Sequence, residues 1–260
     1  MAYEFCTVER DGPLTLVTIN RPEVMNAVHP PANHELAEVF DAFAADPEQW
    51  VAIITGAGDR AFSAGNDLKF QNSNGRVRQP KAGFGGLTSR FDLTKPVIAA
   101  VNGLSMGGGF EIALACDLIV ADERAVFALP EPRVGLAALA SGLHRLPRLI
   151  GEKQALGMIL TGRRVPAGEG YQMGFVNEVA APGEAVAVAR KWAGEILSCS
   201  PMSIRASKDA VQRGLAEPTL EAALANQMAY PAVKALLGSE DLIEGSRAFV
   251  EKRPPAWKGK

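Results

Sequence analysis

Glu111 stands at the head of an apolar segment, directly after three glycines, in the sequence "GGGFEIALACD" at 107–117. A carboxylate that enters a hydrophobic core needs a partner or a chemical task. Glycines at the start of a helix leave backbone N–H groups open to close approach, and these donors favour negative charge. The segment can therefore bind an oxyanion, although the helix dipole alone would also explain a carboxylate at Glu111.

Glu131 lies between two prolines in "LPEPRVG" at 129–135, after a predicted strand. The segment "AFSAGNDLK" at 61–69 follows another predicted strand and its turn. Because α/β proteins bind ligands at loops that follow strands, we expect these two loops and the glycine run to form one site. Taken alone, Glu131 is equally well explained as a charge in a solvated loop.

Two short motifs suggest other chemistry. "GLSMG" at 103–107 fits the G-x-S-x-G nucleophile elbow of a serine hydrolase, with Ser105 as the nucleophile. Serine hydrolases with this motif complete the catalytic triad with a histidine late in the chain. No histidine follows His144, which argues against a serine hydrolase. "GAGDRA" at 56–61 has the spacing of a dinucleotide fingerprint, but "FSAGND" after it is not a helix start, so a tight turn explains it.

The elements that must position these residues alternate between strand and helix in the first half of the chain. "YEFCTVER" and "LTLVTIN" predict a hairpin, and "PANHELAEVFDAFAAD" has the apolar spacing of a helix. Short apolar runs predict buried strands in "WVAIITG", "KPVIAAVNG", "DLIVAD" and "AVFALP". The polar, glycine-rich stretch at 70–86 predicts either a mobile loop beside the site or a disordered segment, and the flanking motifs favour the loop. Helices are expected at 142–149, 152–160, 183–198, 201–213, 217–236 and 240–251.

Composition excludes several classes of function. The chain has 260 residues, 47% of them hydrophobic and 22% charged, which suits one globular domain with or without a small appendage. A net charge of -2 without a basic stripe argues against nucleic-acid binding. No apolar run reaches the length of a membrane span and no signal peptide is visible, so we expect a cytoplasmic protein that binds no membrane. The three cysteines form no C-x-x-C pair and do not cluster with the three histidines, so no metal site is expected.

Six segments, in order, resemble the crotonase superfamily, the enoyl-CoA hydratase and isomerase group. They are "RPEVMNAV" at 21–28, then 61–69, 95–117, 127–136, 161–179 and 239–259, so the resemblance covers nearly the whole chain. It implies an α/β fold with a crotonase-type ββα spiral core. The core is expected at 1–199, and a helical C-terminal part at 200–260 is expected to form trimer contacts and to complete the coenzyme A site.

The resemblance also implies a mechanism on a coenzyme A thioester. The backbone N–H groups of Asn66 and Gly108 would hold the thioester oxygen as an oxyanion hole. Glu111 would activate the water that attacks C3, and Glu131 would act as acid and base at C2. Two neighbouring carboxylates in an apolar site repel each other and tend to hold different protonation states, which suits acid–base work on one face of an alkene.

Binding of the coenzyme A moiety is expected, by the same resemblance, from one loop and from the C-terminal helix. The implied contact residues are Ala64, Asn66, Asp67, Leu68, Lys69, Gly108, Phe249 and Lys252. No cofactor is expected, because coenzyme A is part of the substrate. The family assembles as trimers, often paired into hexamers, so we expect a homotrimer or hexamer.

The chain departs from the family pattern at 135–142, where "GLAALASG" replaces the usual "GTIPGAGG". Leu139 and Ser141 thus stand where glycines are usual, which affects the expected acyl-chain preference. The resemblance implies an enoyl-CoA hydratase, which adds water across the 2,3 double bond to give a 3-hydroxyacyl-CoA. The alternatives are a specialised dehydratase such as carnitinyl-CoA dehydratase, a 3,2-enoyl-CoA isomerase and the hydrolase that uses Ser105. Near-neutral charge and the presence of both glutamates argue against a non-catalytic or RNA-binding member.

Overall fold

The structure is a computed structural model that describes residues 3–74 and 79–260. In these residues the strands are β1 (Cys6–Asp11), β2 (Leu14–Ile19), β3 (Val51–Gly56), β4 (Ala61–Ser63), β5 (Val97–Val101), β6 (Leu104–Met106), β7 (Leu118–Asp122), β8 (Val126–Ala128), β9 (Val165–Pro166) and β10 (Glu178–Ala180). The α-helices are α1 (Pro30–Ala45), α2 (Leu68–Asn74), α3 (Gly108–Ala115), α4 (Gly142–Ile150), α5 (Glu152–Thr161), α6 (Ala167–Met173), α7 (Ala185–Leu197), α8 (Pro201–Gly214), α9 (Leu220–Asn226), α10 (Pro231–Leu237) and α11 (Glu240–Glu251).

A six-stranded sheet, in the order β1-β2-β3-β5-β7-β10, forms the larger layer. The predicted β1–β2 hairpin is confirmed as its antiparallel edge, and the other neighbours are parallel. Every residue of β3 and β5 is buried, because helices cover both faces of the sheet. On one face, Ala185, Ala189 and Ala193 of α7 pack against the sheet, and their small side chains allow a close approach.

A second sheet, in the order β4-β6-β8-β9, lies beside the first and was not predicted. Its strands β4, β6 and β8 run parallel, and β9 is antiparallel to β8. Of its strands only β8 was predicted, within "AVFALP"; the others have two or three residues and are too short to show an alternating apolar pattern. This sheet matters for function, because the three candidate loops leave the carboxyl ends of β4, β6 and β8.

The helix predictions after Gly142 are confirmed except at two places. The segment predicted as one helix at 217–236 is two α-helices joined by a 3₁₀ turn, because Pro231 begins the second helix. Helix α6 was not predicted. The stretch at 70–86 is not one loop: α2 includes its first residues and Phe84–Gly86 forms a buried 3₁₀ turn, while 75–78 lie outside the described residues.

The last residues of the chain form hydrogen bonds both to a C-terminal helix and to the core. The N–H groups of Lys258 and Gly259 donate to the buried Asp241, and the Trp257 indole N–H donates to the Ser198 carbonyl. The division at residue 200 stays a prediction. Among the described residues, no helix is both long and apolar enough to cross a membrane.

Candidate active site

The loop after β4 is tied to the chain near Val28 by a short network of hydrogen bonds. Val28 donates its N–H to Gly65 at 2.7 Å, and Asp67 donates its N–H to the Val28 carbonyl at 3.2 Å. The Asp67 carboxylate also accepts from Arg21 at 3.0 Å and from the Phe70 N–H at 3.1 Å. Burial alone would raise the pKa of Asp67, but these two donors lower it overall. The Asp67 carboxylate therefore stabilises the loop.

The loop after β4 and the glycine run after β6 touch backbone to backbone. A Cβ at Gly65, which has φ +86°, would stand 2.5 Å from the Met106 carbonyl oxygen and 2.9 Å from the Gly108 nitrogen. Only glycine allows this approach. Neither the Asn66 nor the Gly108 N–H donates a hydrogen bond within the described residues. Two predicted oxyanion donors therefore lie on adjacent loops, available to a ligand.

Glu111 is buried in the first turn of α3, with 3% of its surface exposed. Its Oε1 accepts the Gly142 N–H at 2.7 Å, and the Ala140 N–H also donates to its carboxylate. Burial is the main reason why the pKa of Glu111 is raised to about 7. The N–H groups of Gly142 and Ala140 lower this pKa, whereas the negative charge of Glu131 raises it. The carboxylate is thus poised to exchange a proton near neutral pH.

Glu131 begins the short 3₁₀ helix Glu131–Val134 after β8, and its carboxylate turns toward the glycine run. A Cβ at Gly107 would stand 2.7 Å from Glu131 Oε1. Oε2 is buried and has no hydrogen-bond partner within the described residues. Burial raises the pKa of Glu131, and its own backbone N–H partly offsets this. The structure therefore brings Glu111 and Glu131 together beside the free N–H of Gly108.

The shifted pKa of Glu111 predicts a pH dependence of stability. The pKa is about 7 in the folded chain and 4.5 in the reference state, so between these values the folded state holds a proton that the unfolded state has lost. The free energy of unfolding should therefore fall as pH rises through this window, by at most about 3 kcal/mol from this group. Denaturant titrations at pH 5 and pH 8 should show a smaller fall for Glu111→Gln than for the wild type. An equal fall in the free energy of unfolding between pH 5 and pH 8 in the two proteins would contradict the raised pKa of Glu111.

Sequence reasoning missed how the Glu111 carboxylate is held. Ser141 lies between the two donors, Ala140 and Gly142, with φ +94°, a value that favours glycine. Its Oγ accepts from the Arg145 side chain at 3.0 Å, and its carbonyl accepts the Arg145 N–H. The helix start predicted at Gly142 could have indicated this contact. The first N–H groups of a helix lack partners within the helix and can donate to a carboxylate.

Ser105 does not have the setting of a nucleophile. It lies within β6 rather than on a sharp turn between a strand and a helix, and it is 0% exposed. Its Oγ has no hydrogen-bond partner within the described residues, so no base activates it. The geometry therefore gives no support to the serine hydrolase alternative.

Ser105→Ala is expected to retain most of the activity, because the hydroxyl that it removes makes no hydrogen bond in the described residues. Loss of an unpartnered buried hydroxyl should change the free energy of unfolding by no more than about 1 kcal/mol. A fluorophosphonate probe should leave the wild-type protein unlabelled. Stoichiometric labelling at Ser105 would restore the hydrolase.

The remaining predicted binding residues fall into two groups. Ala64, Leu68 and Lys69 are exposed on the loop after β4 and at the start of α2. Phe249 and Lys252 are exposed at the end of α11, which packs against α8 and α10. Phe249 is 86% exposed, so in the single chain its ring is uncovered. The roles of both groups in binding coenzyme A stay predictions.

Metal binding is a separate question from this carboxylate pair. Within residues 3–74 and 79–260, no three His, Cys, Asp or Glu side chains are grouped closely enough to hold a metal ion. The absence of a cofactor stays a prediction.

The sequence and the fold are similar to proteins of known families. The family model described as enoyl-CoA hydratase/isomerase matches residues 9–260. A carnitinyl-CoA dehydratase of Salmonella typhi is 42% identical over 261 residues, which cover 96% of this chain and 97% of that protein. An enoyl-CoA hydratase from Mycobacterium marinum superimposes with a TM-score of 0.92 at 37% identity, over 98% of this chain and 99% of its own. One from Bacillus anthracis has a TM-score of 0.90 at 32% identity, over 99% and 100%. The crotonase-type α/β fold is thereby confirmed, and the chain belongs to the enoyl-CoA hydratase/isomerase family of enzymes.

Proposed function

We propose that this enzyme is a hydro-lyase of acyl-CoA thioesters, and specifically an enoyl-CoA hydratase. The observation that carries the proposal is the pair of carboxylates, Glu111 and Glu131, whose pKa values are both raised beside an unpartnered N–H of Gly108. An isomerase needs one group that moves a proton between two carbons. Addition of water needs a base for the water and an acid for C2, which this pair supplies.

In the proposed reaction, the thioester oxygen binds to the N–H groups of Asn66 and Gly108. The two carboxyl groups share one proton, and in the reactive state that proton lies on Glu131, so ionised Glu111 removes a proton from water as the water oxygen forms a bond to C3. The electron pair of the 2,3 double bond moves toward C2, and negative charge develops on the thioester oxygen, where the two N–H groups stabilise it. Protonated Glu131 then delivers its proton to C2. The product is a 3-hydroxyacyl-CoA, and a proton passes from Glu111 back to Glu131 to complete the cycle.

A second candidate is a specialised dehydratase that runs this chemistry in reverse. It is favoured by the 42% identity to a carnitinyl-CoA dehydratase over nearly the whole chain. The same two carboxylates would remove a proton from C2 and protonate the leaving hydroxyl. The hydratase and the dehydratase would then differ in the acyl group of the substrate that they accept, and not in the catalytic pair.

A panel of thioesters tests both candidates. Hydration of 2-enoyl-CoA substrates is followed by the loss of ultraviolet absorption from the conjugated double bond, and dehydration of carnitinyl-CoA by its appearance. A 3-enoyl-CoA substrate tests isomerisation. Preference for simple 2-enoyl-CoA substrates would support the hydratase, preference for carnitinyl-CoA the dehydratase, and activity on the 3-enoyl substrate alone would overturn both.

We also propose that the chain assembles as a trimer or hexamer through its C-terminal helices. Large apolar side chains are exposed there, including Leu215, Leu220, Phe249 and Val250. Large exposed apolar side chains of this kind are commonly covered at subunit interfaces. Light scattering should give a multiple of three subunits, and a monomer of 27.5 kDa would contradict the prediction.

A further inference from the structure

Phe84 occupies the place that a side chain at Gly108 would take. A Cβ at Gly108 would lie 2.5 Å from Phe84 Cε1 and 2.9 Å from Cζ. The ring is 5% exposed. In a helix, Cα–Cβ bonds tilt toward the N-terminus, which is also the direction of the free N–H groups. The Phe84 ring therefore lies beside the space in front of the Gly108 N–H.

The turn that carries this ring, residues 83–88, is held from both sides. Gly85 and Gly86 have φ values of +62° and +69°, and a Cβ on Gly86 would meet the α1 backbone at 2.7 Å. The Phe84 N–H donates to the Thr88 hydroxyl at 2.8 Å, and the Gly85 N–H donates to Asn33 Oδ1 at 2.6 Å. The backbone that carries the ring is thus fixed in position.

Asn33 supports the turn at a cost to the fold. It is 1% exposed, and its Nδ2 has no hydrogen-bond partner within the described residues. An unpartnered buried amide group is unfavourable, yet the side chain retains its bond to Gly85. Asn33 is therefore a positioning residue for the turn.

We propose that Phe84 is a specificity-determining residue, which forms a wall of the acyl site and restricts the enzyme to short acyl groups. The inference rests on the proposed function, because it places the thioester oxygen at the Gly108 N–H. The thioester carbon then lies within a few ångströms of that nitrogen, which places the start of the acyl chain near the ring. A rigid aromatic wall at that point leaves little room for additional methylene groups.

The test compares chain-length preference in Phe84 variants. We expect Phe84→Ala to raise the ratio of kcat/KM for eight- and twelve-carbon enoyl-CoA to that for the four-carbon substrate by about tenfold or more. Phe84→Leu should change the ratio in the same direction by a smaller factor. It takes the place of the alanine variant in the test if the alanine variant does not fold. Asn33→Ala should also raise the ratio, because it releases the turn. Phe43→Leu, a change at an equally buried ring of α1, is the matched control and should leave the ratio unchanged.

Calorimetric binding of saturated acyl-CoA of four to twelve carbons separates this inference from the proposed function. If the wild type hydrates no enoyl-CoA but the Phe84 variants gain affinity for longer acyl-CoA, the wall is supported and the hydratase activity is wrong. If the wild type hydrates enoyl-CoA and no Phe84 variant changes chain-length preference in rate or binding, the wall is wrong. An equal change in Phe43→Leu would also overturn it, because general loosening of the core would then explain the effect.

Discussion

Glu131→Gln is expected to lower kcat by several orders of magnitude and to leave KM nearly unchanged. The glutamine side chain would keep the shape of the glutamate but could not deliver a proton to C2. An acid or base that acts in the transition state contributes about 10²- to 10⁴-fold, and its loss appears in kcat rather than in KM. Steady-state hydration kinetics of the two proteins measure the effect.

Glu111→Gln should have an effect of the same order, since the water then lacks its base. The amide oxygen can still accept the Gly142 N–H that Glu111 accepts at 2.7 Å, so the local fold should be retained. Exchange of solvent deuterium into C2 separates the two roles, because it depends on Glu131. Near-full hydration activity in the Glu131 variant would overturn the two-carboxylate mechanism.

Gly108→Val is expected to abolish turnover. Loss of the oxyanion site must then be distinguished from damage to the fold as the reason. Gly108 is the buried first residue of α3, and any Cβ would meet the Phe84 ring. Valine would therefore displace the ring as well as crowd the ligand, and loss of activity alone would not identify the oxyanion donor.

A Phe84→Ala background removes this ambiguity. There, Gly108→Ala has room for its methyl group and keeps the N–H, so it should retain activity close to that of Phe84→Ala. Gly108→Pro has the same Cβ but replaces the N–H with the Cδ of the proline ring, and proline is tolerated at the first position of a helix. Loss of one oxyanion donor costs about 10²- to 10³-fold in kcat, which is the expected difference between the two double variants.

Circular dichroism and oligomeric state should be the same in both double variants. Equal kcat/KM in the alanine and proline forms would show that the Gly108 N–H does not hold the thioester oxygen. The N–H of Gly107 is already used by the Ala128 carbonyl at 2.9 Å, so Gly109 would be the next position to test.

The long elements and the candidate residues could be predicted from the sequence. The buried strands β3, β5 and β7 are continuous apolar runs, and α1 has apolar residues at helical spacing, so local pattern determined both. Three glycines before a carboxylate pointed to Glu111, and the ordered motifs pointed to the family. Each of these signals is a pattern of neighbouring residues along the chain, so it can be recognised without knowledge of the fold.

Only the tertiary structure decided how the site is built. The short strands β4, β6 and β8 bring together loops that are separated by about forty and about twenty residues in the chain, and no local pattern records such pairing. The contact of Phe84 with Gly108, the bond from Asn33 to the turn and the N–H groups that hold Glu111 are likewise contacts between distant segments. Such contacts depend on packing in three dimensions. The sequence by itself determined which groups can carry the chemistry, and packing determined their burial, their shifted pKa values and the room left for the acyl chain.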